Sequence, residues 1–143
     1  MKTASATGSM NLLIRLSRLV YRRASEDVIG IRLKQLVALD YLREQGGSSQ
    51  QQLGQTLMLD PNNCVILLND LEEDGYVERR RDPTDRRRHI VEMTDAGRRA
   101  LERAEEKLET LEDEVLGELS ADDRSALRGL MAKALAGCQP GDG

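Results

Sequence analysis

Residues 60 to 97 read DPNNCVILLNDLEEDGYVERRRDPTDRRRHIVEMTDAG, and this segment is the most informative about the fold of the chain. Its first part predicts a helix, because Asp60 can cap the free N–H groups of a first turn and Pro61 fits the first helical position. Gly75 follows the last acidic residues and is a typical helix stop. The apolar residues that recur at helical spacing and would bury one face are Cys64, Leu67, Leu68 and Leu71.

The second part of the segment predicts an arginine-rich β-hairpin and then another helix. Val77 to Arg81 and Arg88 to Met93 have the composition of short strands, and residues 82–85 (DPTD) form the loop between them. Thr94 then starts the next helix. A helix, a hairpin and a helix in this order are typical of the end of a winged helix–turn–helix domain.

Two motifs in this segment, each made of two short stretches, resemble those of the MarR (multiple antibiotic resistance regulator) family of transcription factors. Asp85-Arg86-Arg87 followed by residues 93–97 (MTDAG) is similar to the wing signature of that family. Leu71-Glu72 and residues 75–80 (GYVERR) match its helix-to-strand junction. The resemblance covers roughly residues 10 to 136. It implies a mainly α fold with a small β-wing, in which a winged helix–turn–helix is joined to a helical dimerisation region.

The resemblance also divides the chain into regions. It implies a winged lobe at about residues 33–97 and dimerisation helices at about residues 10–28 and 94–136. Residues 1–9 are expected to be a disordered tail, and residues 137–143 a C-terminal tail. The other helices predicted from apolar spacing and caps run from about Met10 to Val28, Leu33 to Glu44, Ser49 to Leu57, Thr94 to Leu116, and onward from Ser120.

The helix after Asp60 would be the recognition helix of the helix–turn–helix, which enters the major groove of DNA. It departs from the family, because residues 60–74 contain five acidic residues and no basic one. If the apolar face of this helix lies in the core, the residues that face outward are Asn62, Asn63, Val65, Ile66, Asn69 and Asp70. Asparagine can pair with adenine and apolar side chains can meet thymine methyl groups, which favours an A·T-rich site. Asp70 is open to two interpretations, acceptance from cytosine or repulsion of phosphate.

The wing is expected to supply much of the affinity. Arg86 lies at its tip, where it can enter a narrow minor groove with concentrated negative potential. The family pattern ties Arg87 to Asp85, so that Arg87 is partly structural. The resemblance further implies phosphate contacts before and within the third helix, with a plain polar surface as the alternative. The predicted DNA-binding residues are Ser48, Gln50, Gln51, Asn62, Asn63, Val65, Ile66, Asn69, Arg79, Arg81, Arg86, Arg87 and Arg88.

Long apolar stripes outside the winged lobe indicate a partner. The resemblance implies that the first helix and the last two helices interlock with a second subunit. The predicted dimerisation residues are Leu12, Leu16, Leu108, Leu111, Val115, Leu127, Leu130 and Leu135. Arg15, Arg18 and Tyr21 are candidates for a ligand pocket, because a small phenolic or anionic molecule commonly weakens DNA binding in the family. The alternative is an amphipathic helix with solvated arginines.

Composition excludes several classes of function. The chain of 143 residues is about one domain, and no apolar run approaches the ~18 residues of a membrane span. The N-terminus lacks the apolar core of a signal peptide, so a cytoplasmic protein is expected. One histidine and two distant cysteines give no metal site, and no catalytic triad or phosphate loop occurs, so neither an enzyme nor a cofactor is expected. Cys64 is either a packing residue or a redox switch.

Charge is segregated along the chain despite a net charge of −4. Residues 79–88 carry +4, residues 1–34 carry +5, and residues 100–123 carry −8. Phosphate attraction acts over about a Debye length, so the basic segments matter more than the total. The first hypothesis is a homodimeric, sequence-specific repressor that binds a pseudo-palindromic operator and is released by a small aromatic or anionic ligand. The alternative, motivated by the acidic recognition helix, is a winged-helix protein-interaction module without specific DNA reading.

Overall fold

The computed structural model describes residues 8–138, in which seven helices surround a small three-stranded sheet. The helices are α1 (Ser9–Arg23), α2 (Glu26–Ile29), α3 (Leu33–Gln45), α4 (Gln50–Thr56), α5 (Pro61–Glu73), α6 (Asp95–Val115) and α7 (Ala121–Gly137), and the strands are β1 (Ser48–Ser49), β2 (Val77–Arg81) and β3 (His89–Met93). Most of the two predicted tails, residues 1–7 and 139–143, lies outside the described residues. Within the described residues, α1 begins at Ser9 and α7 ends at Gly137. The predicted fold class, mainly α with a β-wing, is confirmed.

The helix–turn–helix consists of α4 and α5, and each begins with the cap that the sequence predicts. The Ser49 hydroxyl accepts a hydrogen bond from the Gln52 N–H, and the Asp60 carboxylate accepts one from the Asn63 N–H. The two helices approach closely at Gly54, where an added Cβ would lie 3.3 Å from the Cys64 sulfur. A glycine in α4 therefore allows α5 to pack closely against it.

The wing is an antiparallel hairpin of β2 and β3, and the strand order of the sheet is β1-β3-β2. Val77 pairs with Met93 at one end and Arg81 with His89 at the other. The sequence did not predict β1, because two consecutive serines carry no strand pattern. They form a strand only because the edge of β3 offers partners, and Ser48 pairs there with Val91.

Thr94 and Gly97 fix the start of α6 against the wing. The Thr94 hydroxyl donates to the Gly75 carbonyl at 2.6 Å and accepts from the Gly97 N–H at 3.1 Å. A Cβ on Gly97 would overlap the carbonyl oxygen of Tyr76. The glycine of the MTDAG motif therefore permits α6 to pass directly over the strand that follows α5.

The first predicted helix is wrong in its extent, because α1 ends at Arg23 and not at Val28. Ser25 is the N-cap of a new short helix, with Glu26 and Asp27 in its first turn. The break buries Ala24 among the core residues of the winged lobe. Ser25 followed by two acidic residues is a helix-start signal, and it overrides the apolar spacing that continues through it.

The core lies in the winged lobe and in the N-terminal part of α6, which packs against α3. Its fully buried apolar side chains are Leu39, Leu42, Leu53, Leu68, Leu71, Leu101, Val77 and Val91. Among the described residues, α1 and α7 bury none of their side chains in the single chain. No helix between residues 8 and 138 is long and apolar enough to cross a membrane.

Candidate nucleic-acid interface

The exposed face of α5 is the one that the sequence predicts. Cys64 is buried with the three leucines of the predicted core face, and Asn62, Asn63 and Asn69 are exposed. Val65 and Ile66 are also exposed, and 50% of the Ile66 surface is accessible. Apolar side chains on an exposed face next to asparagines leave a surface that is suited to the floor of the major groove.

Val65 and Ile66 face different clefts on the two sides of α5. Val65 lines a cleft of about 430 Å³ between the helix–turn–helix and the wing, together with Arg87 and Arg88. Ile66 lines a smaller cleft of about 130 Å³ at the start of α3, where the cations are Arg32 and Lys34. Basic side chains therefore flank the recognition helix on both sides.

Arg32 and Lys34 were not among the predicted site residues. The positive charge of residues 1–34 was the only sequence signal, and most of that charge lies on α1. The packing of α3 against α5 brings these two cations beside the recognition helix, and no local pattern reveals a contact between segments that are about 30 residues apart. Lys34 is exposed, whereas Arg32 lies 3.3 Å from the Asp70 carboxylate.

Contacts within the protein account for the acidic composition of α5 and its caps. Asp60 caps the helix and also accepts from the Asn63 side-chain amide at 2.8 Å. Asp70 pairs with Arg32, and this ion pair gives it a structural role besides the two interpretations considered from the sequence. Asp74, at the C-cap, accepts a hydrogen bond of 2.9 Å from the buried Gln35 side chain.

Another of these acidic residues, Glu72, binds the wing. Its carboxylate lies 2.9 Å from Arg79 Nη2, and this contact holds the pKa of Glu72 below its usual range. Four of the five acidic residues between positions 60 and 74 thus have partners inside the protein. The pairing with two arginines compensates part of the charge locally, so the acidic composition repels a DNA backbone less strongly than the count suggests.

The wing arginines have different partners. The Arg79 side chain is 20% exposed and pairs with Glu72, whereas Arg80 is 53% exposed and pairs with Glu92 at 2.6 Å. Arg81 donates to the backbone carbonyl of Arg86 at 2.6 Å and so closes the hairpin. Arg79 is therefore directed towards α5, while Arg81 supports the loop.

The tip of the wing is held by local hydrogen bonds and presents its cations to solvent. Asp82 accepts from both the N–H and the hydroxyl of Thr84, which lowers the pKa of its carboxyl group. Arg87 has the expected contact with Asp85, at 3.2 Å, yet 91% of its side chain is exposed. Arg86 is exposed as well.

The predicted polar residues near α4 are in two places. Gln50 and Gln51 line the cleft between the helix–turn–helix and the wing. Ser48 is half-buried, and its hydroxyl donates to the Ser49 carbonyl at 2.9 Å. Gln50 and Gln51 are therefore brought together with the wing cations, whereas Ser48 is used within the sheet edge.

Cys64 has the environment of a packing residue. It is buried against Gly54, and its thiol lies 3.7 Å from the Gln50 carbonyl oxygen. Burial raises the pKa of the Cys64 thiol, and the positive charge of Arg79 opposes that shift. Because the thiolate is the reactive form, a raised pKa favours packing over redox chemistry.

Five of the eight predicted dimerisation residues meet in one apolar groove of about 400 Å³ between α1, α6 and α7. They are Leu16, Leu108, Leu111, Val115 and Leu127. Leu130 and Leu135 are exposed on α7, and Leu12 is exposed on α1. Among the predicted ligand residues, Arg15 and Arg18 line a shallow depression with Arg22, and Tyr21 is not part of it.

Comparison with known proteins identifies the family. The sequence model described as MarR family matches residues 29–88. The chain is 30% identical over 104 residues to the HTH-type transcriptional regulator BilQ of Clostridium symbiosum, covering 73% of this chain and 72% of the relative. It is 34% identical over 95 residues to the "Putative transcriptional regulatory protein for hcr operon" of Thauera aromatica, where the match covers 66% of this chain and only 57% of the relative.

The fold agrees with these matches. A crystal structure of a mutant MarR from E. coli, complexed with operator DNA, superposes with a TM-score of 0.67 at 25% identity. The superposition covers 90% of this chain and 99% of that one. The chain belongs to the MarR family and is a DNA-binding transcriptional regulator, not an enzyme.

Proposed function

We propose that the protein is a homodimeric repressor that reads a pseudo-palindromic operator, with α5 in the major groove and the wing in the adjacent minor groove. The observation that carries this proposal is the arrangement of charge around α5. Its exposed apolar and amide face lies between two clefts that contain cations, and four of the five acidic residues at positions 60–74 have partners inside the protein.

The two clefts suit the two DNA strands. The major groove is about 12 Å wide and a helix with side chains measures about 10–12 Å, so a recognition helix fills it. Residues on opposite sides of the helix then face opposite backbones. Arg87 and Arg88 would neutralise phosphates of one strand, with Gln50 and Gln51 as uncharged donors, and Lys34 would approach the other strand.

The base contacts follow from the exposed face. Asn62 has the amide geometry that pairs with adenine, and Val65 and Ile66 offer apolar surface to thymine methyl groups. Arg86 at the wing tip would enter the minor groove, which is narrowest and most negative at A·T tracts. An operator with A·T-rich half-sites and flanks is therefore expected.

A second copy of this chain is the partner that fits the apolar helices. The groove between α1, α6 and α7 is lined by leucines, and Leu130 and Leu135 are each 64% exposed in the single chain. So much accessible apolar surface on two helices is costly in water. A symmetric pairing would cover it and set two α5 helices about 34–36 Å apart, one helical turn of DNA.

Ligand release is the remaining part of the proposal. Arg15, Arg18 and Arg22 lie together on α1 and provide charge for a small aromatic acid. In the dimer the two winged lobes, one from each subunit, must lie at the spacing that DNA requires. A ligand that binds more tightly to another spacing would shift the dimer away from it. The expected ligands are small, anionic and aromatic.

A selection from random duplexes tests the proposal. We expect the recovered sites to be two-fold symmetric, with half-sites one helical turn apart and A·T-rich flanks. Addition of aromatic acids such as salicylate or benzoate to the bound complex should then release the DNA. Recovery of no enriched sequence would contradict specific reading, and would favour the protein-interaction module.

A further inference from the structure

One arginine of the wing connects β2 to the recognition helix. Arg79 Nη2 lies 2.6 Å from Asn69 Oδ1 and 2.9 Å from Glu72 Oε1. Asn69 and Glu72 are three residues apart and share one side of α5. Arg79 thus uses a single nitrogen to hold two side chains of the helix that faces DNA in the proposed complex.

The charge of Arg79 fixes the orientation of the Asn69 amide. A guanidinium group has donors and no acceptor, so the atom that faces it must be the amide oxygen of Asn69. The amide nitrogen is then turned away from Arg79, and it carries two hydrogen-bond donors. Asn69 is exposed on the same outward side of α5 as Asn62 and Ile66, at i, i+4 and i+7 spacing.

We propose that Arg79 is a positioning residue and that it makes Asn69 a hydrogen-bond donor in sequence reading. This inference rests on the proposed placement of α5 in the major groove. The bidentate asparagine–adenine pair needs the amide oxygen to accept from adenine N6. At Asn69 that oxygen is engaged by a cation, and a charge-assisted hydrogen bond is about twice as strong as a neutral one.

The base that suits such a donor is one with acceptors on its major-groove edge. Guanine presents N7 and O6, and thymine presents O4. Cytosine presents only an amino group, another donor, and adenine combines its N7 acceptor with an amino group that no acceptor of Asn69 would meet. We therefore expect guanine or thymine opposite Asn69, which makes this position an exception to the adenine preference expected for Asn62.

The other asparagine with a fixed amide supports the distinction. The Asn63 side-chain nitrogen donates to Asp60 Oδ2 at 2.8 Å, so its orientation is set by an acceptor and not by a donor. The sequence alone does not distinguish the side-chain orientations of the three asparagines of α5. Their partners in the folded protein give Asn63 and Asn69 opposite orientations.

The test is a selection from random duplexes with three proteins: wild type, Asn69→Asp and Arg79→Met. Asn69→Asp keeps the shape and the contact with Arg79, but it replaces the outward donors by an acceptor. The preferred base at one position of each half-site should change from guanine or thymine to cytosine or adenine, by about fivefold or more. Arg79→Met should weaken the preference at that same position, because it frees the amide.

Salt dependence separates positioning from phosphate binding. Arg79→Met should change the slope of log K against log salt by less than about half a unit, whereas loss of a phosphate contact changes it by about one per contact. Both variants should melt within a few degrees of wild type. For Arg79, a second variant, Arg79→Lys, keeps the charge and a terminal nitrogen that can only donate, so it should retain more of the base preference than Arg79→Met.

The outcomes are distinguishable. If wild type selects a sequence but Asn69→Asp leaves every base preference unchanged, the inference about Asn69 is wrong and the proposed function stands. A fall of about one in the salt slope with Arg79→Met would show that Arg79 binds phosphate, which overturns its positioning role. If wild type itself shows no salt-dependent binding, the proposed function fails, and this inference fails with it.

Discussion

The winged lobe and the outer helices differ in how much of their apolar surface is covered by the chain itself. The lobe and the N-terminal part of α6 bury eight large apolar side chains almost completely, whereas α1 and α7 bury none within the described residues. The lobe is thus stabilised by its own core, and the outer helices leave an apolar groove open between them within residues 8–138. This difference indicates that folding of the lobe and assembly of the proposed dimer are separable.

The largest expected effect is on assembly. Leu16→Glu places a charge in the apolar groove, and Val37→Glu is the matched control in the lobe, because the two side chains are 39% and 46% exposed. A buried unpaired charge costs about 3–5 kcal/mol, so the dissociation constant of Leu16→Glu should rise by at least about 100-fold. Light scattering at micromolar concentration should show a monomer for Leu16→Glu and a dimer for both the control and wild type. A monomeric wild type would contradict the comparison.

The next effect contrasts two positions within α5. Leu68 is fully buried and Ile66 is half-exposed. Leu68→Ala should lower the free energy of unfolding by about 2–5 kcal/mol, and Ile66→Ala should change it by less than about 1 kcal/mol. Denaturant titration measures both. Equal losses would mean that the outward face of α5 is assigned to the wrong residues.

A smaller effect separates two arginines of the wing. Arg86 is exposed at the tip, whereas Arg80 is paired with Glu92. Arg86→Ala should lower the salt slope of DNA binding by about one per subunit, and it should weaken A·T-rich sites more than G·C-rich ones. Arg80→Ala is the control and should leave the slope nearly unchanged. A fluorescence titration with equal effects of the two variants would exclude a special role for the wing tip.

The smallest effect concerns an ion pair that links α3 to α6. Arg43 makes two hydrogen bonds to Glu105, at 2.7 and 2.6 Å, and these lower the pKa of the Glu105 carboxyl group. A lowered pKa means that the pair contributes stability above the unfolded-state pKa and loses it as the pH falls through the folded-state value. The pair is about one-third exposed, so its contribution is below about 1 kcal/mol.

Measurement of Glu105→Gln at two pH values tests this sign. The variant should be less stable than wild type at pH 7, and the difference should disappear at an acidic pH below the lowered folded-state pKa of Glu105, where the wild-type carboxylate is protonated. Glu106→Gln, at the exposed neighbouring position, is the control and should differ little from wild type at either pH. An undiminished difference at low pH would show that the charge of Glu105 is not the cause.

The sequence predicts the local elements of the fold well, because caps and stops act within a few residues. Asp60, Ser49 and Thr94 start helices as expected, and Gly75 follows α5 with a positive φ of 80°. The strand at Ser48 and the break at Ala24 were missed. The first depends on pairing with β3. The second has a local signal, Ser25 followed by two acidic residues, but the apolar spacing that continues through it predicted an unbroken helix.

The residues of the candidate site could be predicted from the sequence, but the ion pairs that these residues form within the protein could not. The exposed residues of α5 and the cations of the wing follow from periodicity and from the resemblance to the family. Asp70 pairs with Arg32 and Glu72 pairs with Arg79, and the first of these contacts joins segments that are distant in sequence. Without these partners, the acidic residues of α5 suggest only repulsion of DNA. Lys34 was missed for the same reason, since only the tertiary fold brings it beside Ile66.

The salt dependence of DNA binding by the wild-type protein tests whether cations on both sides of the recognition helix bind phosphate. In the proposed complex Arg87, Arg88 and Lys34 face phosphates and Arg86 enters the minor groove, which makes about eight cations on DNA per dimer. Because 6–10 such contacts lose about 10³–10⁵ in affinity between about 50 and 200 mM salt, we predict a loss of that size. A binding constant that stays nearly constant over this range would contradict the account, because no phosphate could then be bound by the wing or by the start of α3.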